Sequence, residues 1–352
     1  MHGMQEATGS NPVGSKARLA SIFRPRPGRM GNPKSRLCRA HLPRILGHVI
    51  STQGNEKPKP QLHMTIIRGG VPTDVEAIPL EKPNQLIVDP AGVDDMARRR
   101  YPAANRCIYC GATGELTREH IIPYGLNGAA VIPAASCREC ATKTGFAERK
   151  VLRGPMRAVR VLKGFQSRSK HRDAARTQPV RVVRNGVEGT IELPLDKAPV
   201  VLFFPEFAPP GIWTGRQVSG IDLVGVSAVR FGPTAEDVGR ELKATTVGLE
   251  SGNYEPTAFA KMIAKIGFAT AYAEGALGRI GEPCPVIPAI LGESNDIGRW
   301  VGTMTGPYRK YQGLLHRVAL HEDHERGFLI AEVQLFANSA APCYGVVLGT
   351  LR

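Results

Sequence analysis

No apolar run in the 352-residue sequence approaches the roughly 18–20 residues needed to cross a bilayer, which excludes a membrane-spanning helix. The opening residues also lack an uninterrupted apolar core ahead of a small-residue cleavage site, so they do not read as a secretory signal and a cytoplasmic location is the default expectation. The Gly-rich stretch Gly345-Val-Val-Leu-Gly349 has neither the Lys nor the Ser/Thr of a phosphate-binding loop. No repeat marks the C-terminal half. Acidic side chains are scarce at the start, with 2 against 11 basic ones in residues 1–60.

The formal charge of +15 is uneven along the chain. Residues 1–60 carry a net +9, 61–90 a net −2, 91–200 a net +10 and 201–352 a net −2. Basic excess inside a folded segment points to a polyanionic partner, since Lys and Arg release counterions when they neutralise nucleic-acid phosphates. At 42% hydrophobic and 22% charged residues, the composition is that of a globular chain of two or three domains.

Of 7 cysteines, Cys38, Cys284 and Cys343 stand alone, while Cys107/Cys110 and Cys137/Cys140 form two CxxC pairs. An odd count with close pairs is a poor disulfide framework and a good metal site. Two intervening residues let both sulfurs of a knuckle reach one tetrahedral ion, so CxxC-x26-CxxC reads as a closed four-cysteine structural zinc site. Gly111 permits the tight turn after the first pair. A closed site has no open coordination position, so any catalysis must come from other residues.

Between the knuckles, Leu116–Pro123 reads as a strand ended by proline, followed by a loop over 124–130 and a second apolar stretch at Val131-Ile132. Ser136 and Glu139 stand as S-x-x-E, a capping box that predicts a helix start. Cys137, Cys140, Thr144 and Glu148 then share one helical face. Arg149, Lys150, Arg153 and Arg157 follow on or beside that helix, and with Arg118 and Lys143 they are the candidate phosphate contacts.

These residues resemble the HNH endonuclease family, in the branch with two zinc knuckles and a Glu-His pair before Ile-Ile-Pro. The resemblance covers about residues 105–155 and rests on Cys107, Cys110, Glu119, His120, Pro123, Cys137, Cys140 and an acidic position on the following helix. It implies a ββα-metal fold that holds one divalent ion and hydrolyses a phosphodiester bond of DNA, with RNA an alternative substrate. His120 would be the general base on water and Glu119 a ligand to the ion. Glu148, the only acidic residue between Cys140 and Gly154, is nominated as the second ligand to Mg²⁺ or Mn²⁺. The residue types suit that chemistry, because hydrolysis needs a proton taken from water and a cation on the developing charge. Hard cations of this kind take oxygen ligands and retain several waters. The chain departs from the family at Ile132 and Ala141, where many members carry Asn, and it lacks the usual last His. The alternative is a degenerate module that keeps zinc, binds nucleic acid and does not cleave it. Strict alternation would send Glu119 and His120 to opposite strand faces unless the strand ends or bends there.

The expected architecture is α+β. A disordered basic tail over 1–63, or a stretch ahead of a start at Met64, leads through 64–97 into a zinc-bound ββα-metal module over 98–165. A basic linker over 166–179 connects it to a separate α+β domain over 180–352, to which targeting, dimerisation or regulation could fall. In that domain Asn185-Gly186 predicts a hairpin turn, Val200–Phe204 a buried strand, Pro256–Gly278 an amphipathic helix and Gly313–Leu351 an antiparallel meander. His316, His321 and His324 read as surface histidines, and Trp213 and Trp300 as core or interface residues.

Overall fold

A computed structural model describes residues 44–50, 61–68, 71–79, 100–166, 176–250, 254–306, 308–339 and 341–352. Residues 1–43 and 51–60 of the expected tail, 80–97 of the expected lead-in and 167–175 of the expected linker lie outside these residues.

The strands in chain order are β1 Arg44–Ile50, β2 Gln61–Arg68, β3 Val71–Pro79, β4 Leu116–His120, β5 Val131–Cys137, β6 Thr177–Arg184 and β7 Val187–Pro194. They continue as β8 Val200–Phe207, β9 Leu223–Phe231, β10 Thr246–Glu250, β11 Val301–Thr303, β12 His316–Asp323, β13 Phe328–Leu335 and β14 Cys343–Thr350. The helices are α1 Arg138–Arg153, α2 Arg157–Leu162, α3 Gly211–Thr214, α4 Ala235–Leu242, α5 Pro256–Ala273, α6 Ile287–Leu291 and α7 Ile297–Trp300. Every ladder between these strands is antiparallel, which gives an α+β fold. One sheet runs β3-β2-β1-β10-β6-β7, a second runs β11-β14-β13-β12, and β4-β5 and β8-β9 are separate pairs.

Two local signals act as expected. Asn185 (φ 50°) and Gly186 (φ 78°) form the left-handed turn that pairs Arg184 with Val187 in the β6–β7 hairpin. The meander forms as β12–β13–β14, with β11 added at its edge. At the N-terminal side, Arg44–Ile50 was expected in the tail but is a strand between β2 and β10. Its partner on β10 lies about two hundred residues away, a pairing that no local pattern announces.

The helix at Pro256–Ala273 differs from an amphipathic surface helix. Residues 258–260 and 262–271 of α5 are all buried, so the helix is the axis of the core rather than its lid. A helix buried all round needs apolar residues on every face. Gly267 lets α5 approach the meander closely, because a Cβ there would stand 2.9 Å from the Ala331 Cβ and 3.2 Å from Val346. Around α5, Phe204, Phe207, Phe336 and Tyr344 are at most 2% exposed, and each such side chain contributes about 1.5–3 kcal/mol by burial.

One continuous apolar core runs from Cys107 and Tyr109 through α1 and α5 to Val346 and Leu348. The segments expected to be a small module and a separate domain thus share their interior. The physical reason is α5, whose faces are covered by α1 on one side and by β13 and β14 on another. A second, smaller cluster of Val180, Val182, Ala198, Val238 and Val247 lies under the β6–β10 part of the larger sheet.

Candidate metal centre and buried ion cluster

The first knuckle closes through the Gly111 N–H donating to the Cys107 carbonyl at 2.8 Å, with Gly111 at φ 77°. The second sits at the junction of β5 and α1. The expected capping box at Ser136 and Glu139 is displaced by one residue: Cys137 is the N-cap, and its sulfur accepts the Cys140 N–H at 3.5 Å. Ser136 is buried in β5 instead, and Glu139 pairs with Lys143 at 2.8 Å. The four ligand sulfurs lie within 4.8 Å of one another, with Cys110 and Cys137 Sγ 3.7 Å apart. Four sulfurs at about 2.3 Å from a tetrahedral ion are separated by about 3.8 Å, so the donor set and spacing are compatible with zinc. The Cys137 thiol is pulled down to about 7 chiefly by the Cys140 N–H, toward the thiolate that a metal requires. Among the described residues no other group of three or more His, Cys, Asp or Glu ligand atoms converges in this way.

Glu119 and Glu148 do come together, from β4 and α1, but a third residue stands between them. Lys265, in the middle of α5, places its Nζ 2.6 Å from Glu119 Oε1 and 3.0 Å from Glu148 Oε1. It also donates to the carbonyl of His120 and, at 3.4 Å, to that of Ile121. The Lys265 side chain is 2% exposed and that of Glu119 7%, whereas Glu148 retains 21%. Three N–H donors facing four oxygens leave the ammonium fully satisfied. Burial opposes the charge on Lys265, but Glu119 and Glu148 outweigh it and hold the ammonium above its ordinary lysine value. Burial raises the Glu119 carboxyl, Lys265 pulls it down, and the nearby Glu148 helps keep the net shift upward. Tyr109, whose ring is tilted against Phe268 with centroids 5.4 Å apart, has a buried hydroxyl with no hydrogen-bond partner.

This arrangement does not fit a divalent ion on Glu119 and Glu148. An ion bonded to the Glu119 oxygen at about 2.0–2.1 Å would lie no more than about 5 Å from the Lys265 ammonium. A +2 and a +1 charge at that separation repel by about 7 kcal/mol at an effective dielectric of 20. Both expected carboxylate ligands bond the same cation, and that cation is the chain's own Lys265.

His120 ends β4, where a register shift falls between Thr117 and Glu119. Its ring is half-buried and lies edge-on to Tyr124, with centroids 5.5 Å apart. The carbonyl of His120 accepts from Lys265 in the ion cluster.

The candidate phosphate contacts divide. Lys143 bonds Glu293 at 2.9 Å and Lys150 bonds Glu255 at 2.5 Å, both tying α1 to the C-terminal half. Arg157 is half-buried. Arg118, Arg149 and Arg153 are exposed. Beside them lies Phe146, 55% exposed, with Lys150 Nζ 4.5 Å above its ring centroid.

Three residues escaped the sequence reading. Lys265 is one of only two charged residues in the apolar stretch 258–273, which was the available signal. Phe146 is an aromatic on the solvent side of a basic helix. His316 was expected at the surface, but its Nε2 bonds the Leu126 carbonyl at 2.8 Å and its Nδ1 accepts the Phe336 N–H at 3.2 Å.

Compared with protein-family models, curated proteins and solved structures, the chain matches none. Its chemistry is therefore read from these residues alone.

Proposed function

We propose that this chain is a zinc-stabilised, HNH-like module, fused into a larger α+β fold, that binds nucleic acid without metal-dependent cleavage. The observation that carries the binding is the exposed face of α1, where Arg149 and Arg153 flank Phe146. Guanidinium groups match phosphates, and an accessible ring offers a stacking surface for an unpaired base, worth about 1–3 kcal/mol per base. That combination favours single-stranded DNA or RNA over a duplex. The absence of cleavage follows from the filled carboxylate pair, since Lys265 supplies a charge where hydrolysis needs an exchangeable ion.

Fluorescence anisotropy with a labelled oligonucleotide tests the reading. Binding should weaken as salt rises, and Phe146→Ala should cost about fivefold or more in affinity for single strands and less for duplex. Affinity insensitive to both salt and Phe146 would defeat it.

A second reading, a Mg²⁺- or Mn²⁺-dependent endonuclease with His120 as general base, is favoured by one observation: Glu119 and Glu148 converge at the strand end that carries His120. It requires Lys265 to leave its place. Plasmid nicking in either metal, abolished by His120→Ala, would establish it and remove the non-cleaving reading.

A further inference from the structure

We infer that Lys265 is the resident cation of the Glu119–Glu148 pair, and that the protein takes no divalent ion there but uses the ammonium to lock β4 and α1 onto α5. This deepens the non-cleaving half of the proposed function and rests on the same buried pair, while the nucleic-acid-binding half can fail without affecting it.

Lys265 bonds groups from two elements at once, Glu119 and the His120 and Ile121 carbonyls at the end of β4 and Glu148 on α1. Retracting the ammonium would strand two carboxylates and two carbonyls, with Glu119 sealed in the core. Leaving a buried charge unpaired is costly, far more so than a neutral hydroxyl such as that of Tyr109. Nor can the side chain swing outward, since the residues flanking it on α5, Ala264 and Ile266, and those a turn away, Met262 and Phe268, are all buried. Lys261, one turn earlier, shows the contrast: it is only partly buried. The other titratable groups around the cluster, the Tyr109 hydroxyl and the Cys107 and Cys140 sulfurs, belong to the zinc knuckles and their packing. They supply no second cation, and among the described residues Lys265 is the cation bonded to both carboxylates.

The test uses the full-length, zinc-loaded protein titrated with Mn²⁺, with bound ion read by electron paramagnetic resonance and its position by paramagnetic broadening of nearby NMR signals. The expected result is no Mn²⁺ at Glu119 and Glu148 in the natural protein. Lys265→Met and Lys265→Gln should each gain a Mn²⁺ site, roughly tenfold or more tighter than any binding by the natural protein, and adding Glu148→Gln should remove it. Mn²⁺ bound by the natural protein and lost in Glu148→Gln would overturn the inference. So would a folded Lys265 variant with Mn²⁺ affinity equal to that of the natural protein. Should neither variant fold, the natural protein decides: broadening around Glu119 and Glu148 overturns the inference, and its absence with zinc retained supports it.

Discussion

Lys265 shows how one side chain changes the meaning of two others. Without its ammonium, Glu119 and Glu148 would be two carboxylates facing each other, one of them almost wholly out of water. Removing one partner of a buried ion pair typically costs about 3–5 kcal/mol, because the remaining charge loses its compensation. Lys265→Met should therefore lower stability by several kcal/mol in thermal or denaturant unfolding, well beyond Glu148→Gln, whose carboxylate is partly hydrated. Combining Lys265→Met with Glu119→Gln should recover part of the loss. A Glu148→Gln variant less stable than Lys265→Met would show that the ammonium is not the centre of the cluster.

Between elements, the connections that matter are polar contacts bridging strands and loops distant in sequence. Arg160 on α2 donates to the Gly125 carbonyl at 2.5 Å and the Leu152 carbonyl at 2.9 Å, joining the 124–126 turn to the last turn of α1. His316 on β12 performs a similar task between that turn and Phe336. Because its Nδ1 accepts an amide proton, the ring is neutral with hydrogen on Nε2, which donates to Leu126. Burial pushes this imidazole from 6.5 down to about 4, against the opposing pull of the Leu126 carbonyl. Between those values the unfolded chain binds a proton that the folded chain refuses. Stability from this residue is therefore complete above pH 6.5 and declines as pH falls toward 4, by up to about 3 kcal/mol. Urea midpoints measured from pH 7 to pH 4 should fall, and the fall should be shallower in His316→Gln. Glu332, held down to about 2 first by its bond to His321 and then by Arg317, gives stability that is complete above the ordinary glutamate value of 4.5 and is lost as pH falls from there toward 2, so the two effects separate by pH.

For the whole molecule, the four-cysteine knuckles and α5 belong to one interior. Metal removal should consequently be felt beyond the knuckles. Calorimetry of the zinc-loaded protein and of the Cys140→Ser variant should show the main transition, in which α5 melts, shifted downward in the variant. An unshifted main transition with only a small early one lost would mean that the knuckles fold apart from the rest. The nucleic-acid binding proposed above is tested at the same scale. Each phosphate neutralised on a single strand contributes a slope of about −0.7 in log affinity against log salt. Arg149→Ala and Arg153→Ala should each flatten that slope by roughly one phosphate contact. Lys143→Ala and Lys150→Ala, already committed to Glu293 and Glu255, should leave it nearly unchanged.

Local chemistry determined much of this protein by itself. The CxxC spacing brings four sulfurs together, Asn185-Gly186 turns the hairpin, and the strand, loop, strand, helix order between Leu116 and Arg153 follows from periodicity and proline. Glu119 and Glu148 were named from the sequence as ligands of a shared divalent ion; in the structure both bond Lys265. What only the tertiary structure decided is the charge between them. Lys265 is more than a hundred residues from either carboxylate, and its place depends on α5 being buried on every side, a property of its neighbours and not of its own period. For the same reason the expected boundary between module and domain vanished, while His316, expected at the surface, is half-buried between Leu126 and Phe336. Spacing along a chain reports what one element can do; which foreign side chain fills the gap between two elements is settled only when their surfaces meet.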